Sequence, residues 1–392
     1  MKVLHVAPYY DPSWAFGGIT RLLSGLCSEQ SKKGIEVVVL TTDVLNPTRR
    51  LDLPQCRFSE NVQIFTIPNL SHSLAHKQIF IPCITKRLQK SLPRFDIVHL
   101  HGYRNLLLQW AQYFAKKNKT PQIYTPNGCL QIHESRHMKK KLWDCCFPVP
   151  KDKKWIAVSD LEKSLMSKDF DIPMSNISVI PNGIELQEFV YTQSRRRSDS
   201  PNTIKIGYLG QLSKRKGVLD LITAFLSLPH QQNGKTIELH IAGGDMGEYQ
   251  SIQKVISQSS DSKKRSITLH GILEGKKRLQ FLQNLNIFVY PSQNEIFGIA
   301  VFEALMCGCS VIVGDDSGCG EWIKKANAGI LIPTRQPQKI GDAIRWSLDI
   351  KNQDTILMQK KNGIHFIKEN LFYSSIAAKY IKEYQNICNS HV

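Results

Sequence analysis

The stretch Lys2-Val-Leu-His-Val-Ala-Pro8 is a short apolar run closed by a proline, and Ile35-Glu-Val-Val-Val-Leu-Thr41 follows it after one helix-spaced segment, Ile19 to Lys33. Runs of this length, rich in valine and leucine, read as strands covered on both faces. Strand, helix, strand in that order predicts a parallel pair joined by a crossover helix. The pattern recurs at Ile97-Val-His-Leu-His101, Gln122-Ile-Tyr-Thr125 and Trp155-Ile-Ala-Val158, with a helical pattern at Leu106 to Lys117 between the first two. One doubly wound α/β domain over residues 1–190 accounts for all of it.

From Val190 to Asn202 the apolar period gives way to Tyr-Thr-Gln-Ser-Arg-Arg-Arg-Ser-Asp-Ser-Pro, so a linker is expected at 191–203. The alternation then restarts with Ile204-Lys-Ile-Gly-Tyr-Leu209, a helix from Val218 to Leu228, Ile237 to Ala242, Ile287-Phe-Val-Tyr290 and Ser310-Val-Ile-Val313. A second Rossmann-like domain over 204–373 follows from it, and two such domains in tandem predict parallel sheets facing a cleft. The last segment, Ser374 to Ile387, has helical spacing, and 374–392 is expected to pack on the first domain.

Composition narrows the class. At 392 residues and 42% hydrophobic content, two cores can be buried. The ten cysteines include no C-x-x-C pair and read as reduced thiols of a cytoplasmic protein. The N-terminal apolar run is short for a signal peptide. The longest apolar stretch, Ile296 to Val313, holds Glu303 in its middle, a costly position for an acid in a bilayer, so no transmembrane helix is expected. A formal net charge of +18 favours phosphate-bearing ligands or anionic lipid headgroups. Nucleic acid is not expected, because aromatics do not interleave the basic residues and no zinc, RRM-like or helix-turn-helix signature is present.

In open α/β sheets, ligands bind beyond the carboxyl ends of the strands. After Ile287 to Tyr290 come Pro-Ser-Gln-Asn-Glu295, Phe297-Gly298 and a helix carrying Ile299, Ala300 and Glu303. Gly298 lets a ligand's oxygens approach the first amides of that helix, whose dipole favours negative charge. Glu303, set among Val301, Phe302, Ala304, Leu305 and Met306, reads as a partly buried carboxylate able to accept hydrogen bonds from a ribose diol. Glu295 stands at the rim, placed to touch a sugar. After Ile204 to Leu209 comes Gly210-Gln211-Leu-Ser-Lys214-Arg215-Lys216-Gly217, whose lysine beside a glycine at a helix start suits a diphosphate. Phe16-Gly17-Gly18 opens the first helix, but it is not a G-x-G-x-x-G fingerprint, and a nicotinamide cofactor is not expected. His99 and His101 face the same way by period two, and His101, nearest the strand's carboxyl end, can donate to a substrate oxygen. Asp169-Phe-Asp171 sits in a polar loop and reads as a solvated turn, so no metal is implied.

With these residues in order, the sequence resembles glycosyltransferase family 4 of the GT-B superfamily over nearly its whole length. The motifs that agree are the glycine pair, Asp96-Ile-Val-His-Leu-His101, Val179-Ile-Pro-Asn-Gly-Ile184, Ile241-Ala-Gly-Gly-Asp245 and Leu269-His-Gly271. They continue in Glu295 to Glu303, Ala304-Leu-Met-Cys-Gly308 and Gly320-Glu321. The resemblance implies that Glu303 binds the donor ribose and that Glu295 and the amides after Gly298 hold the sugar and diphosphate. It further implies that Lys216 neutralises the leaving phosphate and that His101 lines the reaction centre. Gly17, Gly18, Gln211, Phe297 and Gly271 complete the implied donor set, and Asn127 and Arg104 are candidate acceptor contacts.

The same resemblance implies a retaining, metal-independent hexosyltransferase without cofactor. Its donor would be a UDP-, GDP- or ADP-linked sugar and its acceptor a glycan or lipid-linked glycan of a cell-surface polysaccharide. Two departures stand out: the family usually has arginine where this chain has Gln211, and Thr125-Pro-Asn127-Gly128 has asparagine where many relatives place histidine or arginine. The basic, aromatic-flanked stretch Arg136 to Trp143 reads either as a solvated helix face or as a patch that docks on the inner face of the membrane. The alternatives are a catalytically weak relative acting as a partner subunit and another GT-B enzyme such as an epimerase.

Overall fold

The computed structural model describes residues 1–13, 18–46, 49–71, 82–84, 92–130, 137–185 and 202–389. Gly17, Arg136 and nearly all of the stretch read as a linker lie outside the described residues.

The chain forms two compact units, one of residues 1–183 with 373–392 and one of 184–372. The second unit therefore begins just after the Pro181-Asn-Gly183 turn, earlier than the composition-based boundary at 191–203. The reason is that Ile184 already belongs to it, its amide donating to Leu371 O at 2.7 Å.

In the first unit eight strands run β1 (Lys2–Val6), β2 (Glu36–Thr42), β3 (Cys56–Ser59), β4 (Val62–Ile67), β5 (Ile97–His101), β6 (Gln122–Thr125), β7 (Lys154–Ala157) and β8 (Ile177–Val179). Their spatial order is β3-β4-β2-β1-β5-β6-β7-β8, with only β3 antiparallel. In the second unit, β9 (Thr203–Leu209), β10 (Gln231–Gln232), β11 (Lys235–Ala242), β12 (Ile267–Leu269), β13 (Ile287–Tyr290), β14 (Ser310–Gly314) and β15 (Ile330–Ile332) form the other sheet. Its parallel strands run β12-β11-β9-β13-β14-β15. Both sheets thus reverse order at one place, β1 against β5 and β9 against β13, the crevice where doubly wound folds bind ligands.

Period-two alternation sorts the first sheet's side chains between two cores. Leu4, Val6, Val98 and Leu100 point into one core, which contains Leu107 and Leu108 of α2 (Leu106–Lys117). Val3, Val37, Val39 and Ile97 point into the other, under α1 (Gly18–Lys32). That second core is closed by the C-terminal helix, here α8 (Tyr373–Asn389), through Tyr373, Ile376, Ala377, Tyr380, Tyr384 and Ile387. This is a helical stripe at spacings of three, four and seven residues. His5, His99 and His101 share the parity of Val3 and Ile97, so they stand on the face that α1 and α8 cover.

Four more helices matter below besides α3 (His137–Cys146) and α4 (Asp160–Phe170). They are the three α-helices α5 (Val218–Leu226), α6 (Gly275–Gln283) and α7 (Ile299–Met306) and, as the fourth, a short 3-10 helix at Lys214–Lys216. The apolar stretch 296–313 is split into α7 and β14 by a turn at Gly308, φ 78°. No helix among the described residues is long and apolar enough to cross a membrane.

Candidate functional site

Two clusters of polar side chains lie at the two reversal points, one in each unit.

In the second unit, the loop after β9 carries Lys216 and the loop after β13 carries Glu295. Because β9 and β13 are hydrogen-bonded neighbours, the two loops leave the sheet side by side. Gly217 makes the close approach possible: its φ is +67°, and a Cβ there would lie 2.6 Å from Pro291 O. The Lys216 ammonium forms an ion pair with the Glu295 carboxylate and donates to Tyr290 Oη at 3.0 Å. Glu295 Oε2 also accepts from Ser292 Oγ at 3.0 Å and from Tyr290 Oη at 3.2 Å. Arg215 lies 3.7 Å from the same oxygen. Burial pushes the Glu295 carboxyl up, but Lys216 and Arg215 outweigh it and hold it below the usual carboxylate range. Burial also draws the Lys216 ammonium down, against the pull of Glu295. The result is a buried, charge-balanced cluster with one extra guanidinium beside it.

Gly298 caps α7 in the left-handed region, φ 65° and ψ 58°. A Cβ there would lie 2.9 Å from Cys319 Sγ and 3.1 Å from the Tyr290 ring. A helix leaves its first amides without intrahelical partners, and here they belong to Ile299 and Ala300. Glu303, 6% exposed, sits one turn further on, and its carboxylate is ion-paired with Arg278 of α6. Phe297 is buried against Phe302, ring centroids 5.0 Å apart, so its side chain serves the core. Gly271, φ +68°, accepts from the Gly243 amide at 2.8 Å. Gln211 is exposed, and its carbonyl accepts from Tyr208 Oη at 2.9 Å. On the same loop, Arg215 is the cation that reaches the Glu295 cluster, and it donates to the Gln293 carbonyl at 3.2 Å.

In the first unit, His5 of β1 lies in register with His99 of β5. The rings of His99 and His101 are 3.9 Å apart. His5 Nδ1 is 2.9 Å from His101 Nε2, and His5 Nε2 is 2.8 Å from Gln30 Oε1 of α1. His99 Nδ1 is 2.6 Å from Tyr384 Oη of α8, and its Nε2 is 2.8 Å from Thr125 Oγ1. Burial pulls His5 down to about 4, against the raising effect of Gln30. Burial likewise holds His99 and His101 well below the ordinary histidine range, so all three rings are neutral at pH 7. The three could converge on a metal ion, but both ring nitrogens of His5 and both of His99 already face oxygen or nitrogen partners, so one contact of each would first have to be given up. His101 and Asn127 line one small cavity of about 20 Å³, together with Thr125 and Tyr380. Asn127 is at φ 49°, and its Oδ1 is buried without a hydrogen-bond partner.

Arg104 has a different job from the acceptor contact expected of it. Its guanidinium is bidentate to Asp144 of α3 at 2.9 and 2.7 Å and donates to the Cys129 and Leu130 carbonyls, each at 2.8 Å. With its fork spent on the protein, it braces the Asn127 loop. Asp171 caps α4 in the left-handed region and pairs with Lys151 at 3.0 Å on the surface. Gly18 is exposed at the start of α1. Sequence reading missed Tyr290, Ser292, Arg278, His5, Gln30 and Tyr384. For His5 a signal existed, since it sits on the first strand next to the switch point, and Tyr290 and Ser292 reach Glu295 within one loop; Arg278, Gln30 and Tyr384 become partners only through tertiary pairing.

Two tandem Rossmann-like units, each with a cluster of polar side chains at its strand reversal, have the architecture of a GT-B transferase. The two halves of the chain match separate family descriptions, "Glycosyltransferase Family 4" over residues 16–188 and "Glycosyl transferases group 1" over residues 191–364. The chain belongs to these glycosyltransferases and is a transferase enzyme. It is 26% identical over 379 residues to an uncharacterized glycosyltransferase of Methanocaldococcus jannaschii, covering 89% of this chain and 88% of that protein. It is 20% identical over 393 residues to the GDP-mannose:cellobiosyl-diphosphopolyprenol alpha-mannosyltransferase of Xanthomonas oryzae pv. oryzae, covering 98% and 97%. The fold is shared with the crystal structure of Anabaena HepE in complex with UDP and glucose, with TM-score 0.71, 15% identity and coverage of 98% of this chain and 100% of that one.

Proposed function

We propose that this enzyme moves a hexose-type sugar from a nucleotide-sugar donor to a glycan or lipid-linked glycan, with retention of configuration and without a metal ion. The observation that carries the reading is the Lys216–Tyr290–Glu295 cluster beside the amides of α7, with Glu303 buried one turn beyond. Glu303 accepts the ribose hydroxyls, the amides of Ile299 and Ala300 and the Lys216 ammonium take the diphosphate, and Glu295 meets the sugar. A departing nucleoside diphosphate carries its charge onto fixed donors there, the electrostatic task that a cation performs elsewhere. Arg215, with Lys214 exposed beside it, offsets the neutral Gln211. The similarity to a UDP-bound and glucose-bound fold supports a nucleotide-sugar donor, and the polyprenol-linked substrate in the Xanthomonas relative's name supports a lipid-linked acceptor in cell-surface polysaccharide synthesis.

On α3, Met138 and Leu142 are 84% and 69% exposed one helical turn apart, with Lys141 exposed between them. That surface suits a peripheral contact with anionic lipid at the cytoplasmic face. The test is a panel of UDP-, GDP- and ADP-sugars, read by release of nucleoside diphosphate, with the anomeric configuration of the transferred sugar read by NMR. One donor turned over with retention is expected, and neither binding nor turnover across the panel would overturn the reading.

A further inference from the structure

The three histidines of the first unit form one hydrogen-bonded chain, and its polarity is set at one end. Tyr384 Oη lies 2.6 Å from His99 Nδ1. A phenol is a far stronger acid than a neutral imidazole N–H, and this short separation suits an O–H donor. Tyr384 therefore donates to His99, and its oxygen accepts from Gln30 Nε2 at 3.2 Å. That fixes the Gln30 amide with Oε1 toward His5, so His5 carries its proton on Nε2 and presents a bare Nδ1. His101 Nε2 must then donate to His5 Nδ1. His101 is left with its proton on Nε2 and a bare Nδ1, the one ring nitrogen of the three histidines without a partner among the described residues. Asn127, whose Oδ1 is buried without a partner, lines the same cavity as His101.

We propose that Tyr384 and Gln30 are positioning residues that lock His101 in the Nε2–H tautomer, so that it accepts a hydrogen bond from a sugar hydroxyl instead of donating one. The inference rests on the proposed glycosyltransferase function and on His101 lying at its reaction centre, as the family resemblance implies, and reverses the donor role expected from the sequence. The C-terminal helix thereby governs the chemistry of a residue almost three hundred positions earlier in the chain.

The test reads the tautomers directly, with the full-length protein labelled with 15N-histidine and the rings assigned through single substitutions of His5, His99 and His101. Long-range 1H–15N spectra at pH 7 should show all three rings protonated on Nε2. In Gln30→Met, His5 Nε2–H would be buried without an acceptor, so the proton moves to Nδ1 of His5 and of His101. Sugar transfer should then fall about tenfold in kcat/KM, the loss of one hydrogen bond, while the Kd for nucleoside diphosphate stays within about twofold. Should Gln30→Met fail to fold, Tyr384→Phe keeps the packing ring and should give His101 in a mixture of tautomers. A wild-type His101 protonated on Nδ1 would overturn the proposal, as would stoichiometric zinc bound through the three rings or variants that leave the ring signals unchanged. A correct tautomer in a protein that transfers no sugar would instead sink the functional reading and leave this inference standing.

Discussion

Glu303 and Lys216 each hold a buried charge whose partner in this structure is another side chain. Replacing Glu303 by glutamine keeps the shape of the α7 surface but removes the charge proposed to accept hydrogen bonds from the ribose hydroxyls. Hydrogen bonds to charged groups contribute about 1.5–3 kcal/mol, so affinity for the correct nucleoside diphosphate should fall by roughly one to two powers of ten in calorimetry. An unchanged Kd would refute the assignment. Glu303→Ala has a second effect, since it strands Arg278, and it should melt earlier than the glutamine variant. Lys216→Ala should reduce turnover by about a hundredfold or more, as removal of a single preorganised donor does, and wild-type turnover would dismiss its role at the leaving group.

The neutral histidines make a pH prediction at the same scale. Their folded pKa values lie below the unfolded value of 6.5, His5 at about 4. The stability they contribute is thus fully present above pH 6.5 and is lost as pH falls toward 4, by up to about 1.4 kcal/mol per pH unit for each proton taken up on unfolding. Urea midpoints that hold level from pH 6.5 to 5 would contradict it. These carboxylates, the lysine and His101 were legible in the sequence because each closes a strand or opens a helix. Arg278, Gln30 and Tyr384 were not, because nothing local marks which acid or imidazole a side chain on a distant helix will meet.

Among the elements, the turn into α7 is the most constrained. Gly298→Ala imposes a left-handed conformation costing about 1–2 kcal/mol and drives a methyl against Cys319 and the Tyr290 ring. For a unit of this size the expected loss is roughly 2–8 °C in Tm by scanning calorimetry. Nucleoside diphosphate binding should weaken as well, because Tyr290 is the hydroxyl that Lys216 and Glu295 share. A variant with wild-type Tm and affinity would show that this turn is not held by its backbone. Strands such as β5 and β13 match the ranges read from their apolar runs, as buried parallel strands should. The edge pair β3 and β4 escaped notice because its residues alternate weakly and one strand is largely exposed. The polar stretch Asp169-Phe-Asp171, read as a solvated turn, is the αL end of α4 with a surface ion pair.

At the scale of the whole molecule, the chain crosses from one unit to the other and returns, since α8 completes the core of the first unit from the far end of the sequence. It supplies six buried side chains to that core, three of them tyrosines. Burying each large one contributes about 1.5–3 kcal/mol, so their sum rivals the 5–15 kcal/mol stability of an ordinary domain. Truncation after Phe372 should therefore leave residues 1–183 unable to hold a native fold, visible as rapid limited proteolysis of that unit. A truncated chain as protease-resistant as the full one would show that α8 is dispensable. The sequence by itself determined the doubly wound class, the tandem repeat and the loops that carry Lys216, Glu295, Gly298 and Glu303, because apolar period and glycine placement are local properties. Only the tertiary structure decided that Lys216 and Glu295 share one cluster, that Arg278 holds Glu303, that Arg104 is a brace and that Tyr384 reaches His99. Those are pairings between segments up to 285 residues apart, fixed by sheet order and helix packing instead of by neighbours in the chain.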